Sequence, residues 1–165
     1  MNDVSSIVDL VESAYRRDHS KKGWTTESDF IDGQRTDAEE VSELIRKDNA
    51  VILLCHENDT LVATLQLETN DSKAYLGMFA VEPARQGQGI GYTFLMEAEN
   101  YVKSQWKCQF LRMVVITIRT ELIDWYLRHG YKKTGKIKSF PYEEPRFGLP
   151  KRQDLSLEVL EKQLY

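Results

Sequence analysis

The sequence has few cysteines, few prolines and no long apolar run. Its two cysteines, Cys55 and Cys108, cannot supply a disulfide framework or a four-cysteine zinc site. No stretch approaches the roughly 18 consecutive apolar residues of a membrane helix, and the N-terminus lacks the apolar core of a signal peptide. We therefore expect a cytoplasmic protein without a membrane partner.

Positively charged residues are fewer than negatively charged ones. The chain has 22 Lys and Arg against 26 Asp and Glu, which gives a net charge of -4 and no general attraction to nucleic acid. Its three histidines lie far apart and have no partner ligands at helical offsets, so we expect no metal site. With 41% hydrophobic and 29% charged residues, the composition is typical of one globular domain over residues 1–165.

The hydrophobic pattern predicts the element order α, α, β, β, β, α, β, α, β, β. The predicted helices cover residues 4–17, 38–47, 90–102 and 121–129. The predicted strands cover residues 51–55, 61–67, 75–81, 110–116, 131–138 and a closing segment from Leu155. Three prolines between residues 139 and 151 predict an irregular loop there. The closing strand could pair across a two-fold axis, so a homodimer is a further expectation.

Three glycines lie within five residues where an apolar strand meets an amphipathic helix. Gly87, Gly89 and Gly91 let backbone N–H groups approach an anion, and the helix start adds its positive dipole end. Tyr92 and Thr93 follow where a Walker loop needs Lys and Ser or Thr, and the spacing differs from the dinucleotide fingerprint. The junction predicts another kind of phosphate site, with a tight turn that holds no ligand as the alternative.

Two motifs resemble those of the GNAT N-acetyltransferase superfamily. Gln86, Gly89 and Gly91 match its Q/R-x-x-G-x-G/A signature after a strand that ends in V-x-P. Residues 125–131, with the sequence WYLRHGY, resemble its later L-Y-x-x-x-G-F/Y segment. The resemblance implies an α/β (α+β) fold, in which helices flank a mixed, mostly antiparallel sheet that splays around the strand at 75–81.

The resemblance also implies acetyl-CoA as co-substrate and direct transfer of the acetyl group to a primary amine in a ternary complex. Tyr126 would return a proton to the leaving thiolate, and Glu68 is the leading candidate base, with Glu82, Glu121 or water as alternatives. The implied cofactor contacts are Phe79, Ala80, Val81, Arg85, Gln86, Gly87, Gln88, Gly89, Ile90, Gly91, Arg119 and Tyr126. Arg119 stands where family members often carry Asn.

Acceptor contacts are expected outside the CoA-binding core, in an early polar stretch and in the late proline-containing loop. The candidates are Trp24, Glu27 and Arg35 in the first region and Phe140, Tyr142 and Phe147 in the second. Their acidic and aromatic character favours a small cationic amine, although a peptide amine stays open. The alternative function is a non-catalytic regulatory or adaptor module that binds CoA or acyl-CoA.

Overall fold

Four helices flank a six-stranded sheet in residues 3–165, the part of the chain that this computed structural model describes. The helices are α1 (Asp3–Tyr15), α2 (Ala38–Arg46), α3 (Ile90–Gln105) and α4 (Thr120–Arg128). The strands are β1 (Ile31–Asp32), β2 (Ala50–Glu57), β3 (Thr60–Asn70), β4 (Lys73–Val81), β5 (Phe110–Ile116), β6 (Lys132–Ser139), β7 (Leu149–Pro150) and β8 (Ser156–Gln163). The short strands β1 and β7 pair with each other, apart from the main sheet.

The strand order of the main sheet is β2-β3-β4-β5-β8-β6. All neighbours are antiparallel except β4 and β5, which are parallel because α3 connects them as a crossover. This arrangement confirms the predicted mixed, mostly antiparallel sheet. It also places β8 between β5 and β6, so the closing strand has no free edge with which to pair across a two-fold axis.

The sheet splays between β4 and β5. Parallel pairing joins Lys73 to Phe110 and ends where Tyr75 meets Arg112, so β4 separates from β5 after Tyr75, at the start of the strand at 75–81 around which the splay is expected. Beyond that point, β4 contains a bulge, because Met78 and Phe79 together lie opposite one residue of β3. Met78 has a φ of 46°, an unusual value for a buried residue with a side chain. The bulge shapes the part of β4 that borders the gap.

Helices cover both faces of the sheet. The apolar stripe of α1, which includes Ile7, Leu10 and Val11, packs with α2 against one face. Phe94, Leu95 and other residues of α3 pack with α4 against the opposite face. The hydrophobic spacing predicts amphipathic helices over residues 4–17 and 90–102, and both helices pack their apolar faces against the sheet.

Two features differ from the predictions. Helix α1 ends at Tyr15, before the predicted end at residue 17, and the chain then continues through a short 3-10 turn. The proline-containing loop is largely irregular, but its strand β7 pairs with β1 in the early polar stretch. No helix in residues 3–165 is long and apolar enough to cross a membrane, and the same residues contain no cluster of His, Cys, Asp or Glu suited to a metal ion.

Candidate active site

The glycine loop links β4 to α3 with its backbone N–H groups unused. Gly87 and Gly89 have φ values of +79° and +84°, which L side chains rarely adopt, and Gly89 is the N-cap of α3. Within residues 3–165, the N–H groups of residues 87–91 donate to no acceptor. A Cβ atom built at Gly87 or Gly89 meets no protein atom within 4 Å. The loop therefore presents open space and a row of free donors, as an anion site requires.

Gln86 and Arg85, which precede the glycines, are engaged with the protein. The Gln86 side chain donates to the carbonyl of Val81 (3.1 Å) and accepts from the N–H of Trp24 (3.1 Å). Arg85 forms an ion pair with Glu57 and donates to the side chain of Gln88 (3.0 Å). In this structure Gln86 thus ties the early polar stretch to the end of β4, and Arg85 is held at the loop by its own partners.

A cleft of about 340 Å³ lies beside this loop, and we call it the glycine-loop cleft. Its walls come from α1, the early polar stretch, the end of β4, the loop itself and α4. The residues that line it include Tyr15, Trp24, Thr25, Phe79, Val81, Gln86, Gly87, Gly89, Gly91, Tyr92, Arg119, Leu122, Trp125, Tyr126 and Arg128. Trp24 and Trp125 lie with ring centroids 6.4 Å apart in this wall.

A second cavity of about 260 Å³ occupies the gap between β4 and β5, and we call it the splay cavity. Its lining includes Arg16, Glu27, Arg35, Phe140 and residues of both splayed strands. The two cavities share five lining residues: Tyr15, Phe79, Arg119, Leu122 and Tyr126. Two molecules bound in the two spaces would therefore meet at these side chains.

The backbone of β4 faces this meeting point. The carbonyl of Phe79 accepts a hydrogen bond from the Tyr15 hydroxyl (3.1 Å), and that of Val81 accepts one from Gln86. Ala80, between them, pairs with Thr64 of β3. Glu82, the next residue, donates to the carbonyl of Val62 in β3, and backbone groups alternate in direction along a regular strand, so the N–H group of Val81 also points away from β3.

Tyr126 stands where the cavities meet. Its side chain is 4% exposed, and its hydroxyl makes no hydrogen bond within residues 3–165. Rings of Trp125 and Tyr131 contact it edge to face at centroid distances of 5.1 and 5.5 Å. Burial raises the pKa of Tyr126 well above its ordinary value near 10. The phenol is therefore a protonated donor throughout the neutral pH range.

A buried ion-pair network lies along one wall of both cavities. Glu27 accepts from Arg119 (3.0 Å) through one carboxylate oxygen and from Arg16 (3.1 Å) through the other. Arg119 also donates to the hydroxyl of Thr25 (2.8 Å), while its Nε is buried and has no partner within residues 3–165. This network joins Arg119 at the start of α4 to the early polar stretch.

Arg35 lines the splay cavity without a carboxylate partner. Its guanidinium lies 5.4 Å from the centre of the Tyr15 ring. Within residues 3–165, that guanidinium forms no ion pair and donates no hydrogen bond. Its half-buried position next to Tyr15 makes Arg35 an available cation in this cavity.

Other predicted site residues lie elsewhere. Glu68 pairs with Tyr75, bonds to Lys47 (3.4 Å) and lines neither cavity. Glu68 stands opposite Tyr75, where the parallel pairing of β4 with β5 ends. The glycine loop follows the other end of β4. Tyr142 exchanges hydrogen bonds with the backbone of Leu155 and also lines neither cavity. The side chain of Phe147 lies outside the part of the chain that the structure describes.

Tyr15, Arg16 and Arg128 are among the lining residues that the sequence did not indicate. Tyr15 completes the apolar stripe of α1 and so resembles a core residue in the sequence. Arg16 follows the helix in a charged segment that gives no sign of burial. Arg128 is exposed on α4 and has no ion-pair partner in residues 3–165, although it stands within the predicted 125–131 motif.

Comparison with known proteins identifies the family. The profile of the Acetyltransferase (GNAT) family matches residues 6–131, more than half of the chain. The chain belongs to the GNAT acetyltransferase family. The motif resemblance is thereby confirmed, and both GNAT motifs border the glycine-loop cleft. No curated protein sequence matches the chain.

Solved structures share this GNAT fold. The ribosomal-protein-S18-alanine N-acetyltransferase from Escherichia coli is 12% identical with a TM-score of 0.71, over 99% of this chain and 89% of that one. A GNAT family acetyltransferase from Elizabethkingia anophelis with acetyl-CoA bound is 16% identical with a TM-score of 0.61, over 76% and 82%. A spermidine N-acetyltransferase mutant from Vibrio cholerae is 14% identical with a TM-score of 0.61, over 77% and 73%. At these identities, the likeness is one of fold.

Proposed function

We propose that this GNAT protein is an N-acetyltransferase that moves an acetyl group from acetyl-CoA to a primary amine by direct attack in a ternary complex. The observation that carries the proposal is the position of Tyr126. Its protonated hydroxyl has no partner in residues 3–165 and lies where the glycine-loop cleft meets the splay cavity. One cavity would hold the donor and the other the acceptor.

The residues of the glycine-loop cleft fit acetyl-CoA. The N–H groups of residues 87–91 have no acceptors in residues 3–165, and the space at Gly87 and Gly89 is open, so a pyrophosphate would find donors without displacing a side chain. Arg128 adds an unpaired positive charge to the same cleft. When bound, acetyl-CoA supplies the activated acetyl group as a thioester.

The chain's own groups would do three things around the reacting centre. The N–H group of Val81 points away from β3, where it can pair with the donor and steady a developing oxyanion. Trp125 and Leu122 exclude water from the cleft. The Tyr126 hydroxyl would donate its proton to the departing thiolate as the C–S bond breaks, and the proton that the attacking nitrogen releases on forming the amide would restore the phenol.

The proton of the incoming ammonium needs another route. Glu27 is the carboxylate that lines the splay cavity in residues 3–165, and both of its oxygens already accept hydrogen bonds from arginines. Glu68 lines neither cavity. We therefore propose that the amine loses its proton to water in the open splay cavity before it attacks.

The test is the release of CoA thiol by wild type and by Tyr126→Phe with a panel of primary amines. We expect kcat to fall by about 100-fold, the usual worth of a general acid, with little change in the KM for acetyl-CoA. Tyr131→Phe is the matched control, because Tyr131 is a buried neighbour whose hydroxyl is bonded to Glu99 (3.0 Å) and lines neither cavity.

Equal kcat values for the Tyr126 and Tyr131 variants would contradict the proposed role of Tyr126. If wild type bound acetyl-CoA but released no thiol with any amine, the non-catalytic CoA-binding module would be the better account.

A further inference from the structure

The splay cavity carries more positive than negative charge. Its lining contains Arg16, Arg35 and Arg119 but, within residues 3–165, one carboxylate, that of Glu27. Glu27 is shared between Arg16 and Arg119, so this trio already has two cations for one anion. Arg35 adds a third cation. Glu12 lies close by, but its carboxylate accepts from backbone N–H groups of residues 35 and 36 and does not line the cavity.

The surroundings of Arg35 suit it to bind an anion. Burial costs a cation part of its hydration, and proteins usually offset that cost with a carboxylate or with hydrogen bonds. Within residues 3–165, the Arg35 guanidinium has neither and contacts the face of Tyr15. A planar guanidinium on an aromatic ring keeps its edge N–H donors free, and those donors match the two oxygens of a carboxylate.

We propose that the acceptor is a small primary amine that also carries a carboxylate, as an amino acid does, and that Arg35 binds this carboxylate in the splay cavity. This proposal rests on the proposed function and names its substrate class. A volume of about 260 Å³ suits a small molecule. The excess of arginines disfavours a polyamine, whose second ammonium would approach cations. The acceptor class thus differs from the cationic amine that the sequence suggested.

The experiment compares L-amino acids with their L-amino acid amides as acceptors. Each pair has the same carbon frame, and the amide lacks the negative charge. Thiol release gives kcat/KM for each acceptor, and thermal shifts of the CoA-loaded protein give acceptor binding independently of turnover. We expect the best amino acid to exceed its amide by at least about tenfold, the worth of a charge-assisted hydrogen bond.

Arg35→Gln should reduce this ratio to about one in both measurements. Arg46→Gln removes an exposed arginine of α2 that lines neither cavity, so it controls for the change in net charge and should keep the ratio of wild type. Spermidine and putrescine complete the panel and should be poorer acceptors than the best amino acid.

Two results would overturn the inference: amides or polyamines that equal the amino acids, or an acid-to-amide ratio that Arg35→Gln leaves unchanged. Failure of the proposed function would give a different result. Acetyl-CoA would then not raise the Tm of the protein, and no acceptor would release thiol. If acetyl-CoA binds but no acceptor turns over, the binding measurement alone decides the role of Arg35.

Discussion

Replacing Glu27 by Gln tests how much the buried ion-pair network between the two cavities contributes to the stability of the protein. The side chains of Glu27, Arg16 and Arg119 are 9%, 4% and 6% exposed, and the carboxylate links the two arginines at 3.1 and 3.0 Å. A glutamine keeps the shape of Glu27 but removes the negative charge, and its amide group would turn N–H donors toward a guanidinium. Two buried cations would then lack their counter-ion.

The loss in the free energy of unfolding can be estimated from the burial of these three side chains. Breaking a buried pair by removing one partner costs about 3–5 kcal/mol, and we take about 3 kcal/mol because the cavities give water access to the site. For a domain of this size, about 3 kcal/mol lowers Tm by roughly 6–12 °C. Chemical and thermal denaturation of Glu27→Gln measure both quantities.

Glu39→Gln is the matched control for Glu27→Gln. Glu39 also pairs with an arginine, Arg146, but its side chain is 74% exposed, so its loss should cost less than about 1 kcal/mol. A double-mutant cycle with Arg119→Met should show strong coupling to Glu27. A loss below about 1 kcal/mol in Glu27→Gln, equal to that of the control, would refute the reasoning.

Three further predictions concern the site and the buried tyrosines. Glu68→Gln should leave kcat and its pH dependence unchanged, because Glu68 lines neither cavity; a marked fall in kcat would return it to the list of bases. Arg128→Ala should raise the KM for acetyl-CoA by about tenfold with kcat unchanged, as expected for a lost phosphate contact, and an unchanged KM would exclude that contact. Burial raises the pKa of Tyr15, Tyr126 and Tyr131, so the folded state keeps protons that the unfolded state loses above about pH 10. Stability should therefore be insensitive to these groups below about pH 10 and fall above it, less steeply in Tyr131→Phe than in wild type; equal slopes in denaturation experiments would contradict this.

The sequence allowed prediction of the features that depend on neighbouring residues. The glycine spacing at 87–91 indicated an anion loop, and the helical and alternating patterns indicated the element order. Tyr126 was recognised through a local motif. Each of these features has a signal within about ten residues of itself.

Long-range features could not be predicted in this way. Glu27 and Arg119 are 92 positions apart, and nothing local marks either as half of a buried pair. The position of Glu68 opposite Tyr75 could not be predicted, because an alternating strand shows which side chains share a face but not which end of the sheet lies at the cleft. The bulge at Met78 and the early separation of β4 from β5 depend on how strands pair, so the splay cavity was visible only in the folded chain.

We expect acetyl-CoA to bind at the glycine loop, and a charged side chain in that loop to abolish the binding. Gly89→Glu places a side chain and a negative charge where the loop is open, at a φ of +84°. Gly135→Glu is a matched control, since Gly135 has a φ of +81°, equally open space around a built Cβ and a remote position in β6. Both variants should lose similar stability without ligand, because both strain the backbone.

The deciding measurement is the rise in Tm with saturating acetyl-CoA for wild type and these two variants. We expect a rise of several degrees in wild type and Gly135→Glu and none in Gly89→Glu. Absence of a rise in wild type, or an equal rise in Gly89→Glu, would contradict the claim that this loop binds acetyl-CoA.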